Sequence, residues 1–262
     1  MKVAARVKVA GRTFTAMDIE AERQELVRRI RRHGRLAGDA WLQKYAGSPL
    51  PVLRLKTPVH REILGKFHIG HRDLAIRDVN RLAASLWKHA EYYEERTAAV
   101  ELLLRYHRHL DGASWRLADS WVDAATGWAL SDALSMGPIA RMVSREPSRF
   151  REVLQWTKAK SFWRRRASAY ALRDLVRSRD LDLPLSLLQR LLHDEEFWVQ
   201  RAVGTWLRES WKVDARRVET FLREHARGLP RVTITVATER AAKSFREELR
   251  RQAAAPRRRR SR

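Results

Sequence analysis

At 262 residues the chain can form one large domain or two small ones, and a hydrophobic share of 44% excludes a disordered polymer. Its 54 Lys and Arg against 31 acids give a formal charge of +23, a self-repulsion that calls for a polyanionic partner: nucleic acid first, an anionic membrane surface second. The absence of cysteine excludes disulfides, thiol catalysis and Cys-ligated zinc or iron–sulfur sites.

The opening segment, MKVAARVKVAGR, lacks the apolar run of a signal peptide, and no later stretch approaches the roughly 18 apolar residues of a membrane span. A cytoplasmic protein with no membrane partner is the expectation. In TAMDIEAERQELVRRIRRHG, Thr15 and Asp18 read as a variant capping box. Ile19, Leu26 and Ile30 form a helical stripe that Gly34 ends. SPLPVLRLKTP reads as irregular, and Thr57 with Pro58 as an N-cap followed by proline at the first helical position.

Helices are then expected near 73–89, 91–109, 114–125, 127–143, 148–158 and 160–178, and near 185–193, 195–210, 214–227 and 230–250. RVTITVATE has strand composition but no partner strand nearby, so it is read as helix. The expected fold class is therefore all-α. Pairs recurring every 35–40 residues or so fit stacked two-helix repeats, a solenoid whose basic concave surface suits a duplex. An irregular helical bundle is the alternative. The chain divides into a domain over 1–245 and a basic, disordered tail over 246–262. The last fourteen residues hold seven Arg and no acid, yet the body without them still carries +16.

Three stretches carry candidate chemistry. In GWALSDALSMG, Trp128 and Asp132 share a helix face at i and i+4. Taken alone, the pair reads as a core ring and a solvated or capping carboxylate. In SFWRRRASAY, Arg164, Arg165 and Arg166 point about 100° apart, so they cannot all face solvent together. Most such runs are a basic face over core aromatics such as Trp163, and the functional alternative is a phosphate contact. In EEFWVQRAVGTWLRESWK, Trp198, Trp206 and Trp211 interleave with Arg201 and Arg208. Nucleic-acid binding and a buried stripe weigh about evenly there. The His pairs 68/71 and 107/109 lack metal-ligand spacing, and no glycine loop cradles a nucleotide, so neither metal nor cofactor is expected.

In order, these stretches resemble the bacterial DNA alkylation repair family of the AlkD type, over about residues 40 to 240. YAGSPLPVLRLKTPVHREI and LWKHAEYYEERTAAVELLLRY are similar to the family's early segments. Trp128 and Asp132 match its Trp-x-x-x-Asp helix, Trp163 and Arg166 its Trp-x-x-Arg helix, and QRAVGTWLRE at 200–209 its Gln-basic-Ala-x-Gly helix. One position departs: Thr205 follows Gly204 where the family has Trp, and Trp206 stands one residue later, rotated by about 100°.

The resemblance implies a right-handed solenoid of HEAT-like repeats. It also implies a monomeric glycosylase that removes cationic N3- or N7-alkylated purines from double-stranded DNA without flipping the base, in the bacterial cytoplasm and nucleoid. Asp132 and Trp128 would be catalytic. Arg166, Trp163, Trp206, Arg208 and Arg201 would bind DNA. The competing readings are a non-catalytic member that binds alkylated or distorted duplex, and a helical scaffold for protein or RNA.

Overall fold

The computed structural model describes residues 17–35 and 38–254, together with the backbone of 6–9 and 12–15. It begins with an antiparallel hairpin, β1 (Arg6–Val9) and β2 (Arg12–Thr15), in which Arg6 pairs with Thr15 and Val9 with Arg12. Among the described residues, every regular element after it is a helix. The helix expected to start at Thr15 instead starts behind this hairpin. Asp18 is its N-cap, accepting from the backbone N–H groups of Glu20 and Ala21 at 3.1 Å each.

The chain divides into two compact units, one of Met1–Trp121 with Thr126–Ala133, the other of Val122–Ala125 with Leu134–Arg262. In the first lie α1 (Ile19–His33), α2 (Ala40–Ala46), α3 (Thr57–Gly70), α4 (Ile76–Lys88), α5 (Tyr93–Arg105) and α6 (Gly112–Trp121), with most of α7 (Trp128–Leu134). Helix α1 packs on α3 and α4, α3 on α5, and α4 on both α5 and α6. Helices one to three apart in sequence thus share one core, the local packing of a helical repeat. Helix α4 shows how the pattern produces this. Val79, Leu82, Ala83 and Leu86 fall on one stripe, all buried. Each large side chain so buried is worth roughly 1.5–3 kcal/mol.

The connection from α2 to α3 was legible only as irregular chain, and a buried carboxylate organises it. Glu94 accepts from the backbone N–H of Leu53 at 2.9 Å and of Leu55 at 3.3 Å. Burial holds its pKa above the usual carboxylate range, against the pull of those N–H groups. Next to it, buried Glu95 accepts from Arg31 Nε at 2.7 Å. Helix α3 takes Lys56 as its N-cap, with Thr57 already helical and Pro58 in the first turn.

The second unit holds α8 (Ala140–Arg145), α9 (Pro147–Trp156), α10 (Phe162–Tyr170), α11 (Arg173–Arg177), α12 (Asp182–Leu191), α13 (Phe197–Trp211), α14 (Ala215–Glu224), α15 (Arg231–Ala237) and α16 (Lys243–Ala254). The single helix expected over 127–143 is broken. A π-helical stretch, Ser135–Ile139, separates α7 from α8, with Pro138 inside it and Gly137 at ψ −111°. Proline removes one helical N–H and crowds the preceding turn, so the ladder must open there. Arg173 Nη1 takes up the Met136 carbonyl at 3.0 Å.

Here too consecutive and next-but-one helices pack: α10 on α12, α11 on α13, and α13 on both α14 and α15. Helix α15 is the RVTITVA segment, helical despite its β-branched residues. Thr235 and Thr238 return their hydroxyls to carbonyls one turn back, and Gly204 lets α13 come close. A Cβ at Gly204 would stand 2.7 Å from Val236 Cβ. Helix α16 carries the folded body to Ala254, past the expected boundary at 245, with Phe245 and Leu249 buried. The arginine run at 257–260 lies outside the described residues. Among the described residues, no helix is long and apolar enough to cross a membrane.

Candidate functional site

The seven residues singled out from sequence fall into two groups. Trp128 and Asp132 belong to the first unit, and Trp163, Arg166, Arg201, Trp206 and Arg208 to the second.

Helix α7 is anchored to α2 by backbone contact. Gly127 has φ +85° and Gly47 has φ +68°, both in the left-handed region where glycine costs least. A Cβ on Gly127 would lie 2.3 Å from the Gly47 carbonyl oxygen, so only hydrogen fits between the two chains. Trp128 Nε1 then donates to the Tyr45 carbonyl at 2.6 Å, and its ring meets Tyr45 edge-on at 5.3 Å. This leaves Trp128 half-buried and fixed at both ends. One turn on, Asp132 is 7% exposed. Its charge reaches Tyr93, whose hydroxyl pKa is raised by burial first, then by Glu94 and Asp132. Asp132 is thus a nearly buried carboxylate one turn from a half-buried ring, where water screens its charge less than at the surface.

In the second unit the three consecutive arginines point three ways, and each is engaged. Arg164 pairs with Asp123 at 2.8 Å and lies over the Trp156 ring. Arg165 pairs with Asp194 at 2.6 Å and donates to the carbonyls of Ala159 and Lys160. Arg166, expected to be the phosphate contact, is 3% exposed. It donates to the Trp198 carbonyl at 2.6 Å and to Tyr170 Oη at 2.9 Å, and it stacks over both rings. It therefore acts as a tie between α10 and α13 rather than as an open cation. Trp163, half-buried, lies along Trp198 with ring centroids 6.2 Å apart.

Trp206 is corrected as a DNA-binding surface residue, and Arg208 is found in ion pairs. Trp206 is buried, edge-on to Tyr170 at 5.8 Å, so the one-residue offset after Gly204 turns this ring into the core. Arg208 is neutralised by Glu239 at 2.5 Å and by Glu209 at 3.3 Å, and its partner holds Glu239 below the usual carboxylate range. Arg201 does stay exposed, over the Phe197 ring at 5.8 Å. Sequence reasoning missed Trp41 and Tyr45 on α2. Their signal was present in DAWLQKYAG: rings at i and i+4 between a capping Asp39 and a terminating Gly47. Among the described residues, no group of three His, Asp or Glu could hold a metal ion.

The fold matches two solved structures of low sequence identity. The predicted DNA alkylation repair enzyme from Enterococcus faecalis superposes with a TM-score of 0.68 at 17% identity, over 78% of this chain and 94% of that one. AlkD2 from Streptococcus mutans superposes with a TM-score of 0.60 at 14% identity, over 83% and 98%. No curated protein sequence matches this chain significantly. The sequence model for the DNA alkylation repair enzyme family matches residues 26–241, a span that runs from α1 to the end of α15 and contains both groups of residues. The chain belongs to the DNA alkylation repair enzyme family.

Proposed function

We propose that this protein is a DNA glycosylase that removes cationic N3- or N7-alkylated purines from double-stranded DNA, as a monomer of the bacterial cytoplasm and nucleoid. The observation that carries the reading is Asp132, a 7%-exposed carboxylate one helical turn from a half-open tryptophan on a helix pinned by a glycine–glycine contact. Family membership and the net charge of +23 supply the DNA.

Alkylation at N3 or N7 leaves the purine positively charged, so it departs as a neutral base and needs no general acid. The breaking C1′–N bond leaves positive charge on the sugar, as in other glycoside cleavages. Asp132 stabilises that oxocarbenium character and orients the attacking water, whose proton it accepts. Trp128 presents its π-face to the same sugar, which favours a cation and excludes competing water. The ring and the carboxylate share a helix face because both address one sugar. A wall of this kind works from the backbone side, with the base left in the stack.

The test is release of N7-methylguanine from a defined duplex. Asp132→Asn is expected to abolish release and keep binding, whereas full-rate release by that variant removes the glycosylase assignment. A second reading, a non-catalytic member that binds distorted duplex, is favoured by one observation. Trp206 is buried, so the aromatic that the family carries after its glycine has no surface replacement at this point of α13. The same assay separates the two, since such a member binds without releasing base.

A further inference from the structure

Helix α2 is built as though to be displayed. It has seven residues and none of them is buried. Short helices are marginal unless tertiary packing holds them, yet this one is held by other means. Asp39 caps its start, accepting from the Leu42 N–H at 2.9 Å, and Gly47 ends it in the left-handed conformation. The Tyr45 carbonyl is gripped by Trp128, and the Gly47 backbone lies against Gly127. What the anchoring presents is one face carrying Trp41, Lys44 and Tyr45, spaced i, i+3 and i+4. Trp41 is 69% exposed and Tyr45 58%, the two most exposed large rings among the described residues. They lie parallel, with centroids 5.3 Å apart and planes 4° from coplanar, and Tyr45 in turn meets Trp128.

Two large rings left in water cost free energy unless something covers them in use. An aromatic face with a lysine beside it, and no acid on the same helix, suits a nucleobase next to a phosphate better than an apolar peptide. We propose that Trp41, stacked on Tyr45 and joined through it to Trp128, is a platform on which an unpaired nucleobase of damaged DNA stacks. Lys44 takes the adjoining phosphate. The proposal rests on the DNA-repair reading for its ligand but not on base release. Trp41 is a positioning residue: it holds an interruption of the strand one ring beyond the candidate catalytic pair, where the lesion base itself stays in the stack.

The experiment is fluorescence anisotropy with the full chain and two labelled duplexes, one fully matched and one with a single unpaired 2-aminopurine. Trp41→Ala is expected to weaken binding of the bulged duplex by about 5- to 100-fold, the range that base stacking on an aromatic side chain gives on truncation. Binding of the matched duplex should change by less than about twofold. Trp41→Phe, which keeps a ring, should retain most of the bulge affinity. The 2-aminopurine emission, quenched on binding wild type, should stay bright with Trp41→Ala. Equal losses on both duplexes, no loss on the bulge, unchanged quenching, or a Phe variant as weak as the Ala variant would each overturn the platform. Single-turnover release of N7-methylguanine by wild type is measured alongside. A protein that releases no base but keeps Trp41-dependent bulge binding refutes the glycosylase reading and leaves the platform standing. The reverse pattern does the opposite.

Discussion

The aromatic residues of α2 and α7 and those of α10 and α13 are drawn from the same alphabet, tryptophan and tyrosine among basic residues, and they end in opposite states. On α2 the rings lie open on a helix with nothing buried beneath it. Around α10 and α13, Arg166, Tyr170, Trp198 and Trp206 close on one another. The difference arises from the helices, not from the residue types. Helix α13 is fifteen residues long and packed by α10, α12, α14 and α15, so a ring at its middle, Trp206, is core by position, while Phe197 at its start stays exposed. Helix α2 is held by caps and glycine contacts and has no core to fill. A tryptophan near an arginine is therefore no guide to a nucleic-acid surface until the burial of its helix is known.

The contrast can be broken at its most consequential point first. Asp132→Asn should lower the rate of N7-methylguanine release by about 10²-fold or more, the usual consequence of removing one group matched to transition-state charge. Single-turnover kinetics measure it, and duplex affinity should change by less than about twofold. Next comes the joint beneath the open rings. Gly127→Ala places a methyl 2.3 Å from the Gly47 carbonyl at φ +85°, and should destabilise the protein by about 3 kcal/mol in urea unfolding. Wild-type stability for this variant would mean that α2 and α7 are not joined there.

In the second unit, two of the three arginines expected to bind DNA should separate. Arg166→Ala removes hydrogen bonds to a carbonyl and a phenol from a buried charged group. It should cost about 2–3 kcal/mol of stability while leaving the salt dependence of duplex binding unchanged. Arg201→Ala, at an exposed position, should leave stability intact and lower the slope of log affinity against log salt by about 1. A flattened slope for Arg166→Ala would return that residue to the phosphate.

Much of this was legible in the sequence. The period of 3.6 placed most of the helices, and Trp128 and Asp132 were visible as i and i+4 neighbours, a pair that only the family resemblance gave a role. The unread parts have physical causes. Helix α2 has no apolar stripe, because it buries nothing, so periodicity could not find it. The helix after the Arg6–Thr15 strands is capped by Asp18, which the sequence pattern had placed inside a capping box opened by Thr15; Thr15 is instead the last residue of a strand. The break at Gly137 and Pro138 interrupts a run whose apolar pattern continues across it. Exposure was the hardest property to read. Trp206 and Arg166 belong to motifs that name their types and spacing, but only the packing of α10 against α13 places them inside.

The smallest expected effect sharpens the comparison from the first unit's interior. His60 is buried under α5, its Nε2–H donating to the Glu94 carbonyl at 3.0 Å. Burial lowers its pKa below the usual 6.5, and the charges of Arg61 and Arg105 add to that, against the pull of the carbonyl. A folded-state pKa depressed below the unfolded value means that the native state holds the neutral ring. The stability so contributed is fully present above pH 6.5 or so and is lost as pH falls through the folded pKa, because unfolding then takes up a proton. Glu94, whose pKa burial raises, works in the opposite sense, its contribution falling as pH rises through its folded value. The difference between wild type and His60→Gln isolates the imidazole: glutamine keeps a donor for the Glu94 carbonyl but does not titrate. Urea unfolding should show the two proteins within about 1 kcal/mol at pH 8, with wild type losing more stability than the variant between pH 6.5 and 5. Parallel pH profiles would mean that the imidazole is not held neutral in the fold.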